Sequence, residues 1–256
     1  MATSVEPRPS PPMPPTEESA SKRVRTIYRI GAWAAIAVVA LVVVNGVLLL
    51  FYPIPDTVLG HFRQLQENKL VGLVDLDLVL LVSEGLAVVV YVALYAALRQ
   101  TSRWLASVGV GLAISGIFLY FAINPTFSFL YLSDQYAVAS TAGERVSLIA
   151  AGDGLWANYQ GTAFGIFYLL TAVATLVFAA AMLRTRVFSR LTAYVGLVLG
   201  AAALIPPLPM LGQVGVIASF GALLPTVVFE LLIAWRLLHL AGGSDARVMP
   251  ARAHRR

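Results

Sequence analysis

The chain has 256 residues, of which 59% are apolar and only 12% charged, where an ordinary soluble domain carries about 25% charged residues. That leaves too little polar surface to cover a soluble fold of this size and points to an all-helical protein embedded in a bilayer. Net charge is +5 and cysteine is absent, which excludes a disulfide framework, a thiolate metal site and a cysteine nucleophile.

 Residues 1–28 carry prolines at 7, 9, 11, 12, 14 and 15, mixed with Ser and Glu. With almost nothing to bury, this stretch reads as a disordered cytoplasmic tail. A transmembrane domain over 29–240 follows, with six apolar runs at 30–52, 73–98, 104–123, 161–183, 191–212 and 214–235. Each is close to the roughly 20 residues a helix needs to cross about 30 Å of hydrocarbon. The first run competes with a signal peptide. Its length exceeds a signal core and no A-x-A site closes it, so it reads as an uncleaved helix.

Fifteen of the eighteen Lys and Arg residues fall on one side of this pattern. They lie before the first run, in the turn at 99–103, in the turn at 184–190, and in a basic tail at 241–256 together with Arg236. The alternate loops hold Arg63, Lys69 and Arg145. Basic loops stay cytoplasmic, so both termini are expected inside, as an even number of crossings requires. The same distribution favours anionic lipid headgroups over nucleic acid as the partner of the positive charge.

The outer segment 124–160 opens at Asn124-Pro125, a helix stop. Thr141-x-x-Glu144 has the capping-box pattern. Val146, Ile149, Ala150, Trp156 and Tyr159 then recur at helical spacing. They predict a short interfacial helix between the third and fourth spans, with Trp and Tyr at headgroup depth; a plain connector is the other reading. Gly152-Asp153-Gly154 reads as a turn.

Small residues four apart predict close helix packing at Gly161 and Gly165, at Gly196 and Gly200, at Gly111 and Ser115, and at Gly215 and Ser219. Arg103-x-x-Ala106-x-Val108-Gly109 recurs 87 residues later as Arg190-x-x-Ala193-x-Val195-Gly196. Either a duplicated hairpin or two similar inner-loop helix starts would produce it.

Acidic residues inside the apolar runs are the candidate sites. Asp75 and Asp77 stand near the start of the second run, where a helix N-terminus tolerates negative charge. Glu84 lies deeper, and the seven-residue spacing aligns Asp77, Glu84 and Tyr91 on one face, with Tyr95 extending it. A carboxylate at that depth is expensive and should face the bundle interior. It would either handle a cation, proton or polar ligand, or bond to Asn45, Thr171 or Thr175. Glu230 in the last run is expected to pair with Arg99 or Arg184 or to join the Glu84 site. Pro206, Pro207 and Pro209 should end the fifth helix, and Pro225 kink the sixth. His61, His239 and His254 fall in loops or at boundaries. No haem pair, H-E-x-x-H, G-x-S-x-G or P-loop is present, so neither metal nor cofactor is expected and no enzyme class is suggested.

The strings at 124–136 (NPTFSFLYLSDQY), 159–164 (YQGTAF), 182–196 (MLRTRVFSRLTAYVG) and 234–238 (AWRLL) resemble the bacterial membrane family known as domain of unknown function 4386. The resemblance covers about residues 70 to 240. It implies a multi-helix inner-membrane protein and carries over no activity, ligand or catalytic residue. Two functions follow as expectations: a small-molecule or ion transporter or ligand-binding protein using Glu84, with Asp77, Tyr91 and Glu230 in support; or a non-catalytic subunit that binds another membrane protein or a second copy.

Overall fold

A computed structural model describes residues 17–52, 54–205 and 213–243, with side chains left out at 17–20, 49–50 and 213–222. The described residues form helices and turns, with no strand among them. In chain order the helices are α1 (Glu17–Phe51), α2 (Val58–Glu67), α3 (Lys69–Asp75), α4 (Leu78–Ile123), α5 (Thr126–Val138), α6 (Ala142–Tyr159), α7 (Thr162–Arg184), α8 (Arg190–Ala202) and α9 (Gln213–Gly242). Four helical stretches are long and apolar enough to cross a membrane: Ser21–Leu48, Leu78–Val138, Ala142–Arg184 and Leu223–Gly242.

α4 holds 46 residues, enough for about 69 Å if straight, yet it is not straight. Ser102 has non-helical dihedrals (φ −143°, ψ 61°), and a methyl built on Gly85 would lie 3.7 Å from the Phe121 ring. Two residues so far apart in sequence can meet only if the chain reverses at Ser102. α4 is therefore a hairpin with arms at 78–101 and 103–123, matching the second and third predicted spans. The basic residues Arg99 and Arg103 sit at its turn.

The long helices close a ring. α1 packs on α4, α4 on α7, α7 on α8, α8 on α9, and α9 back on α1. Small residues mark its close contacts: Ala32, Ala35, Ala93, Ala106, Ala179 and Ala193 are fully buried, beside larger side chains such as Leu94, Leu98, Phe178 and Met182. Large apolar side chains such as Trp33, Trp104, Phe118 and Trp235 point outward and are more than half exposed. A soluble fold does the reverse. Lipid tails solvate large apolar side chains as well as a neighbouring helix does, so the faces that meet are those whose backbones can approach closely.

Several boundaries differ from expectation. α1 starts at Glu17, so residues 17–28 are helical rather than tail. After the last proline the sequence turns to Glu, Ala, Lys and Arg, good helix formers, with acids at the positive end of the helix dipole. α8 covers 190–202, not 191–212, and ends in a turn at Ala203–Ile205, because the residue before a proline avoids the helical region. Residues 206–212 and the two tails, 1–16 and 244–256, lie outside the described residues, and the expectations for Pro206, Pro207 and Pro209 with them. α9 runs helically through Pro225 to Gly242.

The small-residue faces are partly as expected. Gly196 and Gly200 lie against Phe229 and Ala179, and against Leu176 of α7, with no room for a Cβ. Gly161 instead caps α7 and meets only carbonyls of the preceding turn, and Gly165 follows it within the first turn of that helix. Gly111 meets nothing within 4 Å and Ser115 is exposed. The packing face of that arm is Gly109, Ala113 and Gly116, set against Phe178 and the backbone of α7. The side chains at Gly215 and Ser219 lie outside the described residues. The 87-residue offset also relates Tyr91 to Phe178, whose rings stack at 5.6 Å, and Ala106 to Ala193, both fully buried.

A helical cap covers one end of the ring. Where the sequence predicts one interfacial helix, the structure forms α5 and α6, and the preceding connector forms α2 and α3. Val58, Phe62, Leu65, Leu76 and Phe129 make its core. The capping box at Thr141 and Glu144 is present. Gly152-Asp153-Gly154 is helix rather than turn, and Gly152 lets α6 come so close to α2 that a Cβ would lie 2.5 Å from Val58. Tyr159 is buried and Trp156 packs beside it, joining the cap to the ring.

The closest crossing in the ring is α1 on α4, where a Cβ on Gly31 would stand 2.2 Å from that of Ala93. Gly31→Val should cost about 1–3 kcal/mol of stability, read by thermal unfolding in detergent. Gly46→Val, with nothing within 4 Å, should leave the transition within error of the parent.

Candidate functional site

Inside the ring lies a cavity of about 260 Å³ to which all five ring helices contribute. α4 supplies Ser83, Glu84 and Tyr91; α9 supplies Thr226, Phe229 and Glu230; α7 supplies Tyr168, Thr171 and Thr175. α1 contributes Val38 and Val42, and α8 contributes Leu199, with Ala203 at its end. Three of the four residues singled out from sequence, Glu84, Tyr91 and Glu230, thus line one space.

Local geometry explains what each group is free to do. Ser83 donates to Val79 O at 2.8 Å, Thr171 to Phe167 O at 2.9 Å and Thr175 to Thr171 O at 2.9 Å. These hydroxyls return their protons to their own helices, so Thr171 and Thr175 do not donate to Glu84, and Asn45 is not among the lining residues. The Tyr91 ring stacks on Phe178 at 5.6 Å. Among the described residues Glu230 forms no ion pair with Arg99 or Arg184, and its Oε2 is buried with no hydrogen-bond partner. Its electrostatic neighbour is Glu84. The cavity thus gathers two carboxylates and carries no Lys, Arg or His in its lining.

Asp77 is not in this lining. It precedes the first residue of α4 in a left-handed conformation (φ 68°) and makes no side-chain cap. That dihedral takes it off the helical face to which sequence spacing assigns it. Its carboxylate accepts from the Tyr159 hydroxyl. The Tyr159 ring packs against Tyr120, whose hydroxyl accepts from Asn124 Nδ2 at 3.0 Å. Burial pushes the Asp77 carboxyl up to about 6, opposed by the Tyr159 hydrogen bond and reinforced by the charge on Asp75. Tyr95 packs into the apolar core.

Asp75 does not cap either. It is buried in the cap and bonded through Oδ2 to His61 Nδ1 at 2.8 Å. The His61 ring rests on Phe129 and Trp156. His61 therefore belongs to a helix rather than to a loop. The signal in the sequence is Val58, His61, Phe62 and Leu65 at spacings of three, four and seven, all buried on one face of α2. Among the described residues no three His, Asp or Glu side chains cluster to hold a metal ion.

No protein-family model, curated protein or solved structure matches this chain.

Because burial raises the Asp77 carboxyl, the folded state binds a proton more tightly than the unfolded chain. Stability from this group is therefore complete below about pH 4, the unfolded value, and is lost as pH rises to about 6. Asp77→Asn should remove that part of the pH dependence. It should raise unfolding stability at pH 7 by about 1–3 kcal/mol, read from paired melts of variant and parent across pH 4–7.

Proposed function

We propose that this chain is a multi-pass protein of a bacterial inner membrane that binds, and carries across the bilayer, a small cation. The observation that supports it is the ring cavity, where Glu84 and Glu230 face one space without a basic residue to neutralise them. Uncompensated intramembrane carboxylates are costly and mark ion or substrate pathways. The charge of the site selects a positive ligand. The hydroxyl of Tyr91 and the rings of Phe167, Tyr168 and Phe229 suit an alkali cation held by oxygens or an organic cation held against aromatic faces. Glu84 is the central ligand, Glu230 its partner, and Tyr91 a positioning group anchored on Phe178.

The layout belongs to the same proposal. α1, the two arms of α4, α7, α8 and α9 make six crossings. The basic residues at the α4 turn and between α7 and α8 stand at the cytoplasmic face, with both termini. The cap of α2, α3, α5 and α6 stands outside. The strings shared with domain of unknown function 4386 support membership in that family. A subunit role, with the outer cap docking another membrane protein, would draw on the outward-facing Phe127, Tyr131 and Val138.

Two measurements test this. Purified protein in liposomes should take up or bind at least one of sodium, potassium or tetraphenylphosphonium, and Glu84→Gln and Glu230→Gln should each reduce the signal at least tenfold while leaving the fold intact. Full activity in both variants, or no response to any of the cations, would remove the cavity from the function. Reporter fusions at the two chain ends should both register the cytoplasm, and an external signal from either would overturn the layout.

A further inference from the structure

The turn between α7 and α8 gathers positive charge around one recess. Arg184, Arg186 and Arg190 line a space of about 430 Å³ beside Thr185 and Phe188. All three arginines are exposed, and among the described residues none of them forms an ion pair. The chain carries no Asp or Glu between Asp153 and Glu230. The turn is pinned from beneath: Phe188 is buried in the ring core, and Arg236 of α9 donates through Nε to Val187 O. Ser189 caps α8 by accepting from Thr192 N at 3.1 Å, so the positive end of that helix stands beside the recess. An apolar groove of about 320 Å³ lies further along α8, where Tyr194, Val195 and Val198 face Leu224, Pro225 and Val228 of α9. Tyr194 and Val198 are 55% and 60% exposed, so the groove opens away from the ring. Arg190, Tyr194 and Val198 follow one another at four-residue spacing on one side of α8, each step rising about 6 Å.

We propose that recess and groove form one binding site for an anionic phospholipid, with its phosphate among Arg184, Arg186 and Arg190 and an acyl chain between α8 and α9. Three features select that ligand. Guanidinium groups match phosphate oxygens with paired N–H donors, and an anion relieves the mutual repulsion of three like charges held at one turn. The groove begins about 6 Å from Arg190 along the helix, comparable to the roughly 5–8 Å of headgroup region that separates lipid phosphate from hydrocarbon. A zwitterionic headgroup would bring an ammonium against the arginines, and a soluble phosphate would leave the groove empty. The site needs the α7–α8 turn to stand at a membrane surface, as in the layout proposed above, and needs nothing of the cation cavity.

The full chain in detergent, titrated with phosphatidylglycerol or phosphatidylethanolamine and read by native mass spectrometry, provides the test. Phosphatidylglycerol should be retained in preference. The double variant Arg184→Gln, Arg190→Gln should weaken its retention about tenfold or more. Arg99→Gln with Arg103→Gln removes the same charge from the α4 turn and should change it by less than about threefold, since charges beyond a Debye length are screened. Val198→Trp, which fills the groove and keeps every arginine, should also weaken lipid retention, and it decides the matter if the double variant does not fold. Inorganic phosphate serves as the soluble probe. Equal retention of the two lipids, equal losses at the two turns, or displacement by phosphate with no effect of Val198→Trp would each overturn the assignment. Retention is measured without any transported cation, so a failure here is distinct from a failure of cation uptake.

Discussion

Close approach of helix backbones through alanine and glycine is the constraint on which the remaining structure depends. In hydrocarbon, burying a leucine against a neighbouring helix adds little over leaving it in lipid, so association rests on dispersion attraction at short range. Gly31 against Ala93, Gly109 against Phe178 and Gly196 against Phe229 are the places where this chain obtains it. The pattern also settles where the larger side chains go. Trp33, Trp104 and Phe118 face outward, where lipid solvates them as well as a neighbouring helix would. The ring cannot close equally at every level, and the space left where Phe167, Tyr168 and Phe229 come inward is the cavity.

A cavity bounded by packed helices gives its two glutamates their character. Water would solvate both groups, whereas the apolar ring does not, and the two carboxyls stand within each other's field. The hydroxyls nearby are already committed to their own backbone carbonyls. A Ser or Thr donating along its helix in this way is a common arrangement in apolar surroundings. It leaves the carboxylates with little internal compensation.

Much of the ring is legible in the sequence because its signals are one-dimensional. Long apolar runs, basic turns and the depth of Glu84 are read directly along the chain, and the seven-residue spacing correctly sets Tyr91 beside Glu84. Asp77 escapes the same rule because a single left-handed residue ends the helical register before it, and no pattern in the sequence announces that dihedral. The choice between Gly111 and Gly109 as a packing face is hidden for a related reason. In a helix rich in small residues several stripes satisfy the four-residue spacing, and only the neighbour's shape selects one. The cap is the least legible. Its helices are short, and their apolar faces are completed by elements about 70 residues apart in sequence, as in the bond from Ser133 Oγ to Phe62 O at 3.1 Å.

The acidic residues divide by what stands next to them, and the division follows depth. At the exposed surface of the cap, Glu144 is held by the Ser140 and Thr141 backbone amides and Asp134 by Lys69. Within the cap, Asp75 has a histidine and Asp77 a tyrosine hydroxyl. Inside the ring, Glu84 and Glu230 have each other. A purely structural carboxylate in a membrane is stabilised by pairing with a cation or by donors that satisfy it. This chain uses both devices freely in its cap, so the lack of an ion pair at Glu84 and Glu230 among the described residues is not forced by a general shortage of donors. Two acids held under those conditions destabilise the bundle, and the proposed cation site is what would offset that penalty.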